Sequence, residues 1–393
     1  MHLLLAGILA NTVKSHSIGK AEILTQGDSL VQHYDPLLSL PAMATTTLHS
    51  LDLVAAEVGV PETIALTSTQ PRPGWVHTKA GRWFAGQAPA WKKGQAPPHI
   101  LLATDLDCTL TMDDCMLARH AVEVRDAVDA GTAGFNRRWI SMTKKHNNCV
   151  LCYSTGRSMK VFEDLILEQR ARTDKVLPDS TLLLPDVLIT SDGTSIHWLE
   201  DNGTLSPDTE WEAMLKTGWD MEQVRQIFME NPEVAKYGVD LQVWFNRLED
   251  FRVSVVLEGY EGTRIAEKSV RRAIETSDAE IEAHVFICTH ISGGSQGSTQ
   301  YWLVATSKTG GKGQALDYVR KRIGADSSRV LVAGDSGNDT PMFDRAARQG
   351  VRGVIVGNAK PELVNFAKQF EGHIFAKQYC AEAITFALDT FDF

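Results

Sequence analysis

From residue 99 onward the apolar residues fall into short unbroken runs, each closed by glycine or an acid. Ile100-Leu101-Leu102-Ala103 runs into Thr104-Asp105-Leu106-Asp107, and Val330-Leu331-Val332-Ala333 runs into Gly334-Asp335-Ser336-Gly337-Asn338-Asp339. Runs of this kind predict strands buried on both faces, as in a parallel sheet covered by helices. Val150–Ser154, Val187–Thr190 and Gly353–Val356 predict three more. Between them the spacing turns helical: Val161, Phe162, Leu165 and Ile166 predict a helix over 159–172, and further helices are expected at 313–323 and 381–388. Strand and helix in alternation predict an α/β fold with a Rossmann-like parallel sheet. Ser195–Trp198 followed by Asp201-Asn202-Gly203-Thr204 predicts a hairpin with Asn202-Gly203 in a type I′ turn.

The texture changes between about 206 and 306. Helices are expected at 221–229 and 262–276, and half-buried strands at 251–257 and 284–288, which predicts an inserted α+β domain. The chain then returns to the first domain, so two crossings join them, a joint that permits hinge closure. The expected division is an N-terminal extension of unknown role at 1–97, a core domain at 98–205 and 307–393, and the insertion at 206–306. Within the extension, 51–58 reads as a short helix, 64–67 as a short strand, and Gly86–Pro98 as a linker. Leu3–Ala10 resembles a short signal core without the preceding Lys or Arg, so a targeting segment there stays an open alternative.

Composition narrows the function. The 393 residues carry a net charge of −10, which argues against a nucleic-acid-binding surface. No apolar run approaches the roughly 20 residues needed to span a bilayer. The 6 cysteines form no disulfide framework. Cys149-Val150-Leu151-Cys152 has metal-site spacing, but strand alternation turns its thiols to opposite faces, so buried core cysteines are expected. A reducing, cytoplasmic compartment follows from that usage.

The chemistry lies at the strand ends. Two apolar strands side by side would bring Asp105, Asp107, Asp335 and Asp339 together. Carboxylates crowded this way are costly unless a cation or a reaction needs them, and an oxygen-rich nest suits Mg²⁺. Ser154-Thr155-Gly156-Arg157-Ser158 ends a strand and opens a helix, where a Thr hydroxyl and free N–H groups can hold a phosphate. Gly310-Gly311-Lys312-Gly313 opens another helix and offers Lys312 as a point charge for the same phosphate. Several positions keep two readings: Asn338 as metal neighbour or helix cap, Arg157 as substrate contact or carboxylate partner, Asp192-Gly193 as functional loop or plain turn. Trp219, Trp244 and Trp302 either stack on a substrate ring or pack the insertion.

These motifs, in this order, resemble the haloacid dehalogenase superfamily of phosphotransferases, from Ile100 to the C-terminus, with the insertion placed as that superfamily's α+β cap. Within it the chain is similar to the sucrose-phosphate phosphatases, through Phe135-Asn136-Arg137-Arg138-Trp139, Tyr153–Ser158, Pro185–Thr194, Trp219-Asp220, Arg252-Val253-Ser254, Ser292-Gly293-Gly294, Gly311–Leu316 and Gly334–Asp339. It departs from that pattern at Val304, where the family has an acid, in the run Arg247–Arg252, and at Asp192 inside Ser191-x-Gly193.

The resemblance implies a Mg²⁺-dependent phosphatase of a sugar phosphate, with sucrose 6-phosphate first. It implies Asp105 as nucleophile, Asp107 as acid and base, and Thr155, Gly156, Arg157 and Lys312 on the phosphoryl group. Asp105, Asp107, Asp335, Asn338 and Asp339 would surround the metal. A sucrose-phosphate synthase is the protein partner it brings to mind. Other sugar or glycosyl-glycerate phosphates, and a non-catalytic sugar-phosphate-binding module, are the alternatives.

Overall fold

The computed structural model describes residues 96–112, 122–146, 148–171, 180–200, 203–245, 249–277, 281–292 and 298–393, and the statements below concern those. The elements expected at 51–58 and 64–67, the segment Leu3–Ala10 and most of the Gly86–Pro98 linker lie outside them.

Two sheets organise the described chain. The larger has eight strands in the order β12-β11-β10-β1-β2-β3-β4-β5. Its centre is β1 (Ile100–Thr104), parallel to β2 (Cys149–Ser154) on one side and to β10 (Val330–Gly334) on the other. Strands β3 (Val187–Thr190), β11 (Arg352–Ile355) and β12 (His373–Phe375) extend the parallel part. Strands β4 (Ser195–Leu199) and β5 (Leu205–Pro207) close the edge antiparallel. Their turn differs from the expected one. The Gly203 N–H donates to the Glu200 carbonyl (2.8 Å), which puts Gly203, at φ 81°, fourth in the turn rather than third.

Alternation along the strands assigns the two faces. Ile100, Leu102, Leu151 and Tyr153 face helix α1 (Val122–Lys145), α2 (Met159–Ala171) and the C-terminal helix Cys380–Thr390. Leu101, Ala103, Val150 and Val332 face the opposite helices, among them α3 (Thr209–Leu215) and the helix Lys312–Arg322. Cys149 sits on the first face and Cys152 on the second, each buried. Burying such side chains contributes about 1.5–3 kcal/mol each.

The second sheet is antiparallel, in the order β6-β7-β9-β8. It comprises β6 (Gly238–Val239), β7 (Arg252–Leu257), β8 (Ala283–Ser292) and β9 (Ser298–Ser307). Helices α4 (Met221–Glu230), α5 (Pro232–Tyr237), α6 (Leu241–Phe245) and α7 (Tyr260–Glu275) belong to the same stretch. Val224, Phe228, Ala266 and Val270 of α4 and α7 pack on Val253, Val255, Leu303 and Ala305. The face alternating with these residues carries Arg252, Val304 and Thr306, which are cross-strand neighbours or two residues apart. Trp219 and Trp244 are partly buried against this layer's own core. Residues 206–215, expected to open the insertion, instead build the larger layer: β5 joins its sheet and α3 buries Trp211 and Leu215 in its core.

After β9 the chain re-enters the larger layer through α8 (Lys312–Arg322). Then follow α9 (Thr340–Arg348), α10 (Pro361–Ala367) and α11 (Cys380–Thr390). Among the described residues, no helix is long and apolar enough to cross a membrane.

Candidate active site

The sheet's strand order reverses at β1, whose neighbours β2 and β10 lead to opposite edges. The carboxyl ends of parallel strands at such a point leave a crevice that main chain does not fill. Asp105 follows β1 there, and its N–H donates to the Ala333 carbonyl of β10 (3.0 Å). Asp335 follows β10, and Thr155 follows β2.

Lys312, the first residue of α8, is 1% exposed and stands between two carboxylates. Its Nζ lies 3.0 Å from Asp105 Oδ1 and donates to Asp339 Oδ1 at 2.7 Å. Asp339 in turn accepts the N–H groups of Asp335 (3.0 Å) and Ser336 (3.1 Å) on its other oxygen. That bond to Ser336, with the short 3₁₀ turn Gly337–Asp339, folds the loop after β10 back onto the site. Thr109 Oγ1 donates to Asp335 Oδ1 (3.2 Å), tying the loop after β1 to the same cluster. One carboxylate oxygen each of Asp105, Asp335 and Asp339 lies within 4.8 Å of the other two.

The electrostatics of the cluster are unbalanced. Burial pushes the Asp105 carboxyl well above the usual carboxylate range, reinforced by Asp339 and opposed by Lys312. Burial and then Asp339 push Asp335 up to about 7. Burial alone would lower the Lys312 value, but Asp105 and then Asp339 outweigh it and raise it. The cluster's three carboxylates have a single ammonium among them, in direct contact with two, Asp105 and Asp339. Such a surplus of buried oxygen ligands fits a hard divalent cation.

The raised values set a pH dependence. Between about pH 4, where an unfolded Asp has released its proton, and about 7, the folded chain still holds protons here. The stability this confers is present at low pH and is lost as pH rises through the folded values. With a chelator, the thermal midpoint is therefore expected to fall from pH 5 to pH 8. Added Mg²⁺ should raise it by about 5 °C at pH 8 and by less at pH 5. Differential scanning calorimetry in both conditions measures this, and an equal increment at the two pH values would contradict the cluster's assignment.

Asp107 is held elsewhere. Arg157 grips its carboxylate as a fork, Nη2 at 2.6 Å from Oδ1 and Nε at 2.9 Å from Oδ2. Of the two readings left open for Arg157, the structure displays the carboxylate partner. Thr155 is fully buried, and its Oγ1 accepts the Arg157 N–H (3.1 Å). Asn338 is not the N-cap of its turn, a place that Ser336 takes, and its side-chain partners are Ser336 and Asp192. Its Oδ1 accepts from Ser336 Oγ (2.6 Å), and its Nδ2 donates to Asp192 Oδ1 (3.4 Å).

Asp192 and its neighbours make the most strained segment of the site. Ser191, Asp192 and Gly193 have φ of 50°, 55° and 92°. For the two non-glycines this costs about 1–2 kcal/mol each. The segment is fixed by bonds from Ser191 N–H to the Arg157 carbonyl (2.8 Å) and from Asp192 N–H to the Thr155 carbonyl (3.1 Å). A Cβ on Gly193 would lie 2.2 Å from the Gly311 carbonyl carbon, at the start of α8. Gly193→Ala is expected to lower stability by about 2–5 kcal/mol, from left-handed strain plus overpacking. A urea melt measures it, and a midpoint like that of the unsubstituted chain would mean that α8 yields there.

Sequence reasoning gave no role to two cations. Arg252, the first residue of β7, reaches across to the larger layer, with Nη2 3.2 Å from Asp192 Oδ2 and Nη1 donating to the Gly156 carbonyl (3.1 Å). Lys360 precedes α10. Its N–H donates to the Asp335 carbonyl (2.7 Å) and its Nζ donates to the Thr289 carbonyl of β8 (3.2 Å). The Lys360-Pro361 pair was the available signal, since proline marks a helix's first turn.

The family model described as sucrose-6F-phosphate phosphohydrolase matches residues 98–392. "Probable sucrose-phosphatase 1" of Arabidopsis thaliana is 29% identical over 307 residues, 75% of this chain and 60% of that protein. The chain thus spans about 60% of the length of the plant relatives it matches. "Mannosylfructose-phosphate phosphatase" of Agrobacterium fabrum is 30% identical over 282 residues, 69% of this chain and 88% of that one. Among solved structures, the sucrose-phosphatase of Synechocystis sp. PCC6803, in complex with sucrose and phosphate, superposes with a TM-score of 0.54. It is 22% identical, over 75% of this chain and 99% of that one, and so shares that structure's fold.

Proposed function

The chain belongs to the sucrose-6F-phosphate phosphohydrolase family, and from that premise we propose that it hydrolyses the phosphate ester of a disaccharide phosphate, sucrose 6-phosphate first. The observation that carries this reading is the buried Asp105–Lys312–Asp339 array, set beside Asp335 at the sheet's point of reversal.

An oxygen of Asp105 attacks phosphorus while the bond to the sugar oxygen breaks, leaving a phosphoaspartate and the free sugar. Lys312 and the Thr155 hydroxyl hold the phosphoryl oxygens, and the helix that follows Gly156 would add partial positive charge. Asp107 supplies the proton to the departing sugar oxygen, and then takes one from the water that cleaves the acyl phosphate. An arriving phosphoryl group competes with Asp107 for the Arg157 guanidinium, which would release Asp107 for that exchange. Asp105 and Asp335 would hold Mg²⁺, with the Asp107 main-chain carbonyl. Asp339 holds Lys312 and orders the loop after β10. The bound cation would supply charge that offsets the repulsion between carboxylate and phosphate. The substrate would come from a glycosyltransferase that makes sugar phosphates, such as a sucrose-phosphate synthase.

A second disaccharide phosphate has specific support. The mannosylfructose-phosphate phosphatase matches over most of its length, and the chain's departures at Asp192 and Arg252 meet at the junction of the two layers. Phosphate release from both disaccharide phosphates, with Mg²⁺ and with chelator, tests the proposal. Release that needs the cation and prefers a disaccharide ester supports it. Silence across a panel of sugar phosphates would leave a binding module.

A further inference from the structure

We propose that Asp192 is a positioning residue that latches the second layer onto the phosphate-binding loop, through Arg252. This deepens the phosphatase reading and rests on it for its kinetic consequence, though not for its structural one.

The argument begins with what Asp192 touches. Its side chain is 5% exposed and meets three separate segments. Arg252 of β7 lies at 3.2 Å, and Asn338 of the loop after β10 donates at 3.4 Å. A Cβ on Gly156 would lie 3.1 Å from Asp192 Oδ1, so the third is the Thr155–Arg157 loop. The main chain of Asp192 cannot drift, because the bonds to Thr155 and Arg157 and the closeness of Gly193 to Gly311 fix it in its left-handed conformation. The carboxylate is thus a fixed point of the larger layer.

Arg252 is the matching point of the smaller one. Val253 and Val255, next along β7, are buried in that layer's own core, so the guanidinium moves only as the layer moves. Its partner within the layer, Glu249, is more distant at 3.6 Å. Val304, on the same face of β9, is fully buried and offers no charge. Arg252 Nε is buried with no hydrogen-bond partner among the described residues, so the guanidinium is committed to Asp192 and the Gly156 carbonyl through its two terminal nitrogens. Other side-chain contacts across the layers have a neutral partner, among them Ser307 Oγ, which donates to the Leu215 carbonyl (2.9 Å) where the chain crosses. Gln314 meets His284 at an exposed site, and Lys360 meets a neutral carbonyl.

A buried ion pair with one member in each layer is costly to break by removing a single partner, because the other charge is then left unpaired. Separation of the layers would also take Arg252 away from the Gly156 carbonyl. Opening of the smaller layer and loosening of the phosphate-binding loop are therefore one event. A sugar held between the layers would be retained by this latch, and its loss should show in KM before kcat.

The test compares the full chain with Asp192→Asn, Arg252→Gln, Arg252→Lys and the double variant Asp192→Asn/Arg252→Gln. Hydrogen exchange needs no substrate and comes first. In Asp192→Asn, peptides covering 153–158 and 251–257 are expected to exchange about tenfold faster or more, together. No change, or a change confined to one of the two segments, would overturn the latch. Kinetics follow on any ester that the unsubstituted chain hydrolyses. Each charge-removing single variant is expected to raise KM about tenfold, and the double variant no further than the worse single. Arg252→Lys, which keeps the charge, should recover part of the loss. Losses that multiply in the double variant, or a fall in kcat at constant KM, would overturn the proposal. If no ester is hydrolysed at all, the phosphatase reading fails while the exchange result still decides the latch.

Discussion

Asp105→Asn is expected to reduce phosphate release by about 10⁴-fold or more while leaving the fold intact. The amide keeps the shape of the carboxyl but has no anionic oxygen to attack phosphorus. The substitution also acts on stability, in the opposite direction. Asp105 is pushed up by burial and by its carboxylate neighbours, so removing its charge relieves repulsion within the cluster. Lys312 is not orphaned, because Asp339 still accepts from it at 2.7 Å. In chelator at pH 8 the variant should therefore melt no lower than the unsubstituted chain. Phosphate release and the thermal midpoint, measured on the same preparation, separate the two effects. Near-normal turnover would move the nucleophile elsewhere, and a lost fold would show that Asp105 is structural.

Lys312→Met should do the reverse and damage both properties. The ammonium is 1% exposed and is in direct contact with Asp105 and Asp339. Methionine fills a similar volume but leaves those carboxylates facing one another. Removing one member of a buried charged set costs about 3–5 kcal/mol. A urea melt should show that loss in chelator, with part of it recovered in Mg²⁺, because the cation replaces the missing positive charge. Phosphate affinity should fall as well, read as weaker product inhibition by inorganic phosphate. Turnover should drop by about 10²–10³-fold, the scale of removing one charged stabiliser of a transition state. A melt unchanged in chelator would mean that the carboxylates hold protons instead of sharing Lys312.

What the sequence revealed follows from how each feature is encoded. The strands around Asp105 and Asp335 are unbroken apolar runs, and their neighbours in the sheet could be inferred from alternation with helices. Helix α1 was not singled out, although Phe135, Trp139 and Met142 are buried along one of its faces. Gly131, Thr132 and Gly134 interrupt its middle with poor helix formers, and packing against the sheet overrides that preference. Strand β9 was not picked out either, because Tyr301–Ala305 is nearly continuous in apolar residues and lacks the alternation of a half-buried strand. The residues proposed to bind the phosphoryl group could be picked out because each sits at a strand end or helix start. The contacts that Asp192, Arg252 and Lys360 make across the layers were opaque for a common reason. Their partners lie on other elements, and only the seating of one layer on the other brings them together. The fork between Arg157 and Asp107 was one of two readings, and local sequence gives no basis for choosing between them.

The pairing of β1 with β10 also sets the order in which this chain can mature on a ribosome. Leu101 to Thr104 find partners in β2 within about one helix and loop, but their other edge waits for Val330 to Ala333. Contacts so distant in sequence form late, since loop closure must precede them. The antiparallel sheet of residues 238–307 needs only local pairings, so it can form while that edge is still open. An open apolar edge is a template for pairing with other chains. Nascent chains stalled between the two segments should therefore engage a chaperone, and the carboxylate cluster is assembled only after translation has passed Asp339.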